Sequence, residues 1–416
     1  MTGRNDTQRE AFVQGLSWST HYLLTRIALQ TSSDTRLDTV IRVVPLEDFL
    51  SRSREALRDP IRSYWGLLEK KSGHITSPQV DPGSITTRQE FLTALRLNPE
   101  VSIPYVRCIT PEEAPSNAPY DSARSGPPHE SYRETADGEP LKVSEIVSVF
   151  SDEPDWGMDQ DLFRAESYGY GPIPFGSPTG HSSQACFHMA FLHEPPLLTA
   201  VLPRLKKSFL EERVRLFLAL AEVAFGEGAD YWGWRFTAWA IHYLQDVTQP
   251  YHARALPFPL WKIFLRLLAH PVPRDFAEKN GNLLLNRHYL FEALVHLILN
   301  TAVKRRDDHA FVTALKMNGE RYRGSLSAVI DEASGIAATR AVRVNALLQL
   351  ILNDPRINRT DYVASDDPSY PLAEKLARVS ADQPVLVERF IGLVAECMAQ
   401  AGMVSRYVVE RTGTGG

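Results

Sequence analysis

Cysteine is scarce in this sequence. Cys108, Cys186 and Cys397 lie far apart, with no CxxC spacing, which argues against a disulfide framework and against a thiolate zinc site. An odd count leaves at least one free thiol, which suits a reducing compartment. An excess of positive charge is also lacking: 45 Lys and Arg face 50 Asp and Glu, for a net charge of −5. Duplex nucleic acid is therefore not an expected partner, because its binders are broadly basic. The opening residues MTGRNDTQREAFVQG hold no basic segment followed by an apolar one, so the chain as written shows no cleavable export signal and reads as cytoplasmic. No apolar run reaches the length expected of a membrane span. The G-x-S-x-G turn of serine hydrolases does not occur, and strand-type alternation is rare.

What the sequence has is helical periodicity. Apolar residues recur at helical intervals over 9–30, with Trp18, His21, Tyr22, Thr25 and Leu29 on one side, and over 46–70 with an interruption at Pro60. Residues 110–140 turn to Pro, Ser, Gly and Glu and read as a loop without secondary structure. A second loop-rich stretch covers 152–179. Long helical segments are then expected over 198–225, 231–247, 283–303, 325–352 and 371–409. The fold class is all-α: a multi-helix bundle with a metal cluster between helices and long loop insertions in its first half. Residues 1–305 are expected to form the main domain, with a loop-rich insertion at about 108–180, and 306–416 a helical extension packed on it.

The segment AWAIHYLQDVTQPYHARA carries chemistry. His242 and Asp246 are four apart and project from one helix face. Pro250 is expected to end that helix, leaving His252 in the exit loop. In NRHYLFEALVH, His288 and Glu292 repeat the spacing. Imidazole and carboxylate are the zinc ligands used when thiolates are absent. A single His-x3-Asp is common on helices, but Trp232, Trp234, Phe236, Trp239 and Tyr243 make this one aromatic and buried. A buried aspartate needs a partner, and a cation is a strong candidate.

HYLQDVTQPYHA, from His242 to Ala253, resembles the signature of the zinc-dependent phospholipase C and single-strand-specific nuclease family, with its His-x3-Asp-x5-His core and Gln-Pro before the last histidine. The family's later His-x3-acid pair falls on His288 and Glu292, and glutamate there is closer to the phospholipase branch. The resemblance implies a further ligand on the first helix, His21, and an Asp and a His before the signature helix. Asp155 in EPDW is the preferred Asp, with Asp152, Asp159 and Asp161 as competitors. His188 is the preferred His, flanked by Phe187 and Phe191, with His181 and His193 as alternatives. His296 is a reserve ligand one turn beyond Glu292, whereas His74, His129, His270 and His309 read as surface residues. The implied sites are Asp155, His188, His242 and Asp246 for one zinc, His252, His288 and Glu292 for another, and His21 with a bridging Asp246 for the third. Family members begin, after trimming, with a Trp that binds zinc; the first tryptophan here is Trp18. Roughly two to three zinc ions per chain are therefore expected.

The implied activity is that of a phosphoric diester hydrolase, with Asp155 orienting or deprotonating the attacking water. The substrate is expected to be a phospholipid or another phosphodiester. LPFPLWKIFLRLLAHPVP, between His252 and His288, has the pattern of an interfacial helix, with a broad apolar face around Trp261 and Phe264 and a narrow edge of Lys262 and Arg266. A helix buried in the core is the other reading. Peripheral membrane contact through 258–270 follows from the first. Single-strand nuclease activity is the alternative, with Arg254, Arg287, Lys304, Arg305 and Arg306 as scattered cations. A catalytically silent, membrane-associated helical protein is a third reading. Relatives in this family are mostly exported, at odds with the absent signal.

Overall fold

A computed structural model describes residues 20–72, 80–108, 132–160, 162, 185–270, 273–317, 322–359, 362–364, 367 and 369–413. The backbone alone is described for 273–279 and 282. Trp18, His74, His129, Asp161 and His181 lie outside these residues. Helices dominate, as the periodicity predicts.

In chain order the helices are α1 (His21–Leu29), α2 (Leu46–Ser53), α3 (Arg58–Ser72), α4 (Arg88–Ala94), α5 (Val143–Phe150), α6 (Ala185–His188), α7 (Pro196–Val201), α8 (Leu210–Gly226), α9 (Asp230–Asp246), α10 (Pro250–Ala253), α11 (Leu260–Ala269), α12 (Pro273–Arg305), α13 (Ala310–Lys316), α14 (Leu326–Leu352), α15 (Leu372–Asp382) and α16 (Pro384–Arg411). Two antiparallel ribbons pair β1 (Val40–Arg42) with β4 (Pro140–Lys142) and β2 (Val106–Cys108) with β3 (Tyr132–Glu134).

Four local expectations need correction. The break in 46–70 falls at 54–57, and Pro60 sits in the first turn of α3, where a missing N–H costs nothing. The 110–140 stretch contributes β3 and the start of β4, whose partners lie far away in sequence. Helix α9 ends at Asp246, and Pro250 opens a new one-turn helix rather than closing the old one. Residues 371–409 form two helices, because Gln383 leaves helical geometry ahead of Pro384.

Helix α9 is the axis of the molecule. From Tyr231 to Asp246 every side chain is buried, as expected of a helix apolar on all sides. It lies against α8, α5 and α16 and carries His242 and Asp246 in the interior. Helix α14 has the length and hydropathy of a membrane span, contrary to the sequence expectation, but Ala333, Ala337, Ala341, Val344 and Leu348 bury it in the protein. Helix α16 crosses α13 so closely that a Cβ at Gly402 would lie 2.2 Å from the Leu315 carbonyl oxygen. The segment after 306 therefore packs into both large apolar cores, which include Leu326, Ile330, Val404 and Val408 on one side and Val344, Leu348, Phe390 and Val394 on the other.

Candidate metal centre

Three groups of side chains converge where α1, α9, α10 and α12 meet the 153–156 turn and α6. They are His21, His242 and Asp246; Asp155, His188 and His242; and His252, His288 and Glu292. All eight residues singled out in the sequence thus come together, from segments up to 271 positions apart (21 to 292). These buried groups can hold a metal ion.

The Asp155 turn is a 3-10 helix, Glu153–Trp156, locked from below. Glu153 is buried and accepts hydrogen bonds from Arg235 and, at 2.7 Å, from Trp239 Nε1, both on α9. Gly157 closes the turn with φ of 109°, a left-handed geometry that strains residues bearing a Cβ. Asp152 is not turned toward the cluster but fastens the turn to α1, accepting from the Tyr22 backbone N–H at 2.9 Å and the Tyr132 hydroxyl at 3.2 Å. Asp159 lies behind His188, held by Arg213 Nη2 and Tyr243 OH, each at 2.5 Å. Of the described candidates, Asp155 is the one whose oxygens face the inner nitrogens of His21, His188 and His242.

In three of the rings the inner nitrogen points to the cluster because an acceptor holds the opposite side. His21 Nδ1 lies 2.8 Å from Gln245 Oε1, His242 Nδ1 lies 2.8 Å from the Ser151 carbonyl, and His188 Nε2 lies 3.1 Å from Asp159 Oδ2. That leaves His21 Nε2, His242 Nε2 and His188 Nδ1 for the centre. Metal-binding histidines are oriented in this way. Removing one such support without touching the cluster is a direct check: Asp159→Asn should weaken metal affinity about 10- to 100-fold, read by competition with a chelating indicator. Unchanged affinity would deny Asp159 that role.

The spacing suits a bound cation. Donors about 2.0–2.1 Å from a tetrahedral metal sit about 3.3 Å from one another. Around His242, its Nε2 is 3.2 Å from His188 Nδ1, 3.4 Å from Asp246 Oδ2 and 3.6 Å from Asp155 Oδ1. His188 Nδ1 is 2.9 Å from Asp246 Oδ2 and 3.9 Å from Asp155 Oδ1. In the third group, His252 Nε2 is 2.9 Å from His288 Nε2 and 3.4 Å from Glu292 Oε1, with His288 Nε2 to Glu292 at 2.6 Å. Asp246 joins the groups. Its Oδ2 faces His188 and His242, while Oδ1 lies 3.0 Å from His252 Nδ1 and 3.5 Å from His21 Nε2. Asp155 divides its oxygens in the same way, with Oδ2 toward His21 at 3.9 Å.

Without a cation, protons take its place. Against the penalty of burial, hydrogen bonds to Asp159 and Asp246 lift His188 to about 10. Again against burial, the charges of Asp246 and Glu292 lift His252 to about 9. Burial and the neighbouring His21 hold His242 well below the usual imidazole range. Although burial opposes it, His288 and His252 hold Glu292 down at about 2. Burial raises Asp155 to about 6. Metal entry must therefore displace protons from His188 and His252.

Other histidines stay outside the cluster. His193 meets the Asp331 carbonyl at 3.0 Å and Ser334 Oγ at 3.1 Å on α14. His296 meets Thr20 Oγ1 at 3.4 Å, and burial pulls its pKa down to about 4. His309 caps α13, accepting from the Phe311 N–H at 3.1 Å. Sequence reading missed the supports: Gln245, Ser151, Asp159, and Gln249, which donates to Glu292 at 2.9 Å. Gln245 and Gln249 stand within the His242–His252 run itself, and helical spacing could have flagged them. No protein-family model, no curated protein and no solved structure matches this chain.

Proposed function

We propose that the chain is a zinc-dependent phosphodiester hydrolase of the phospholipase C type, acting on phospholipid headgroups. The observation that carries this reading is Asp246, whose Oδ2 addresses the inward nitrogens of His188 and His242 and whose Oδ1 addresses His21 Nε2. That is how a carboxylate is placed when neighbouring cations share it. The donor set, five imidazoles and three carboxylates without a thiolate, suits zinc. Zinc held there supplies Lewis acidity toward phosphoryl oxygens and brings the pKa of water toward neutrality.

The chain's own groups complete the chemistry. Asp155, His288 and Glu292 retain some solvent contact, at 11%, 17% and 12% of their side chains, whereas His21 and His242 have none. Substrate therefore approaches from the Asp155 and Glu292 side. Asp155 keeps 11% of its side chain exposed beside the buried histidines and is placed to orient an attacking water and accept its proton.

A lipid is favoured over a nucleic-acid strand by the surface. Leu260, Trp261, Phe264, Leu265 and Leu268 of α11 are each at least half exposed, and Ile263 is the buried contact of that helix. This is the outward apolar arc of an interfacial helix rather than a core element. It is anchored beside the cluster, since Ile263 packs with Leu256 and Phe258, a few residues beyond His252. Arg254 faces Glu194 at 3.5 Å, so it does not extend a basic track for single strands.

The test combines metal analysis with turnover of short-chain phosphatidylcholine and of single-stranded DNA. About two to three zinc ions per chain are expected, with headgroup release that falls about 10²- to 10⁴-fold in Asp155→Asn. Cleavage of DNA but not lipid would transfer the reading to the nuclease branch. A zinc-loaded protein that turns over neither substrate would leave a silent membrane-associated protein.

A further inference from the structure

A cleft of about 410 Å³ lies between α11 and α12, lined by Phe258, Lys262, Arg266, Arg287, Gln349 and Asn358. Its floor is an unusual arginine. Arg287 is only 3% exposed, yet among the described residues its hydrogen-bond partners are neutral amides: Nη1 donates to Asn345 Oδ1 at 3.2 Å and Nη2 to Asn358 Oδ1 at 2.5 Å. Its Nε is buried and meets no acceptor among the described residues. Arg266 also donates to an amide, Asn280 Oδ1, at 2.5 Å. The two guanidinium carbons lie 5.1 and 4.7 Å from the centre of the same Phe258 ring. Lys262 stands at the rim, and none of the described lining residues is acidic.

A buried cation without an anion is costly, and two close together cost more. Folding tolerates this where a ligand supplies the missing charge. The planar guanidinium fork matches the oxygens of a phosphoryl group, and a lysine adds a mobile point charge. We propose that this cleft binds a phosphate-class anion, held by Arg287, Arg266 and Lys262, at a site separate from the metal cluster. The anion is the phosphate of a lipid headgroup or of a soluble phosphate ester. The first source fits the position, because the exposed apolar arc of α11, with Trp261 and Leu265, begins at the rim. A headgroup in the cleft would leave its acyl chains at that arc, so charge and apolar contact would act together.

Binding is read without turnover, so the inference stands apart from the hydrolase reading. Full-length zinc-loaded protein is titrated calorimetrically with inorganic phosphate, and floated with phosphatidylcholine vesicles with and without phosphatidic acid. Lys262→Gln/Arg266→Gln is compared with wild type, with zinc content measured on both, because phosphate can also meet the cluster. One phosphate-binding event should weaken by about tenfold or more in the variant, the worth of a charge-assisted hydrogen bond, at unchanged zinc content. If binding to phosphatidic acid vesicles falls with it, the headgroup is the source. If vesicle binding is unaffected, a soluble phosphate ester is. Identical phosphate and vesicle binding by the two proteins would overturn the proposal, and so would a loss that tracks a loss of zinc.

Discussion

On the hydrolase reading proposed above, replacing Asp246 by asparagine is expected to remove metal from more than one position and to reduce hydrolysis by about a thousandfold or more, since charge stabilisation at phosphorus supplies several kcal/mol. The substitution keeps the shape but removes the charge shared by four imidazoles, with His188 at 2.9 Å, His252 at 3.0 Å, His242 at 3.4 Å and His21 at 3.5 Å. One amide face must also present N–H groups to nitrogens that are meant to act as donors to a cation. Elemental analysis and headgroup release, measured with thermal unfolding as a check on folding, decide the matter. Loss of a single ion with turnover intact would show that Asp246 serves one centre only.

Arg235→Met should destabilise the fold by about 3–5 kcal/mol, the usual consequence of stripping one partner from a buried ion pair. Arg235 is fully buried. It donates to Glu153 through Nε at 2.8 Å and also through Nη2, reaches the Pro104 carbonyl at 2.7 Å, and stacks 3.9 Å from the centre of Phe150. Methionine fills the space but leaves the Glu153 carboxylate in an apolar interior. Urea unfolding of the single variant and of Arg235→Met/Glu153→Gln separates charge from packing, because the double variant should recover part of the loss. A single-variant loss below about 1 kcal/mol would mean that water reaches Glu153.

The cluster residues were more legible than the loops that carry them. His242, Asp246, His288 and Glu292 declare themselves by four-residue spacing, and the aromatic crowd around α9 told of its burial. The choice of Asp155 over Asp159 was not accessible in the same way. Both are acids in one short stretch, and what distinguishes them is Arg213, which lies more than fifty residues on and captures Asp159 from behind. Pro250 read as a helix end because proline breaks helices from within. Here Gln249 caps a new turn, with its side chain accepting from the His252 N–H at 3.3 Å, and proline is welcome at the first position of that turn. Strand β3 was hidden because three residues carry little alternation, and its pairing with β2 is a tertiary matter. The periodicity of α11 showed that one side is apolar, but not whether that side faces solvent, since a core helix and an interfacial helix share the pattern.

The contact between the two ends of the chain sets a timetable. Helix α1, which brings His21 to the cluster, is gripped by the last helix: Arg406 donates to the Ala28 carbonyl at 2.9 Å across 378 residues, and Ser405 accepts from Gln245, the residue that orients His21. At about 5–20 residues per second of synthesis, the first ligand emerges tens of seconds before the helix that secures it exists. Until then α1 is an apolar segment with no resting place and a histidine with no fixed direction. Assembly of the complete cluster is consequently a post-translational event.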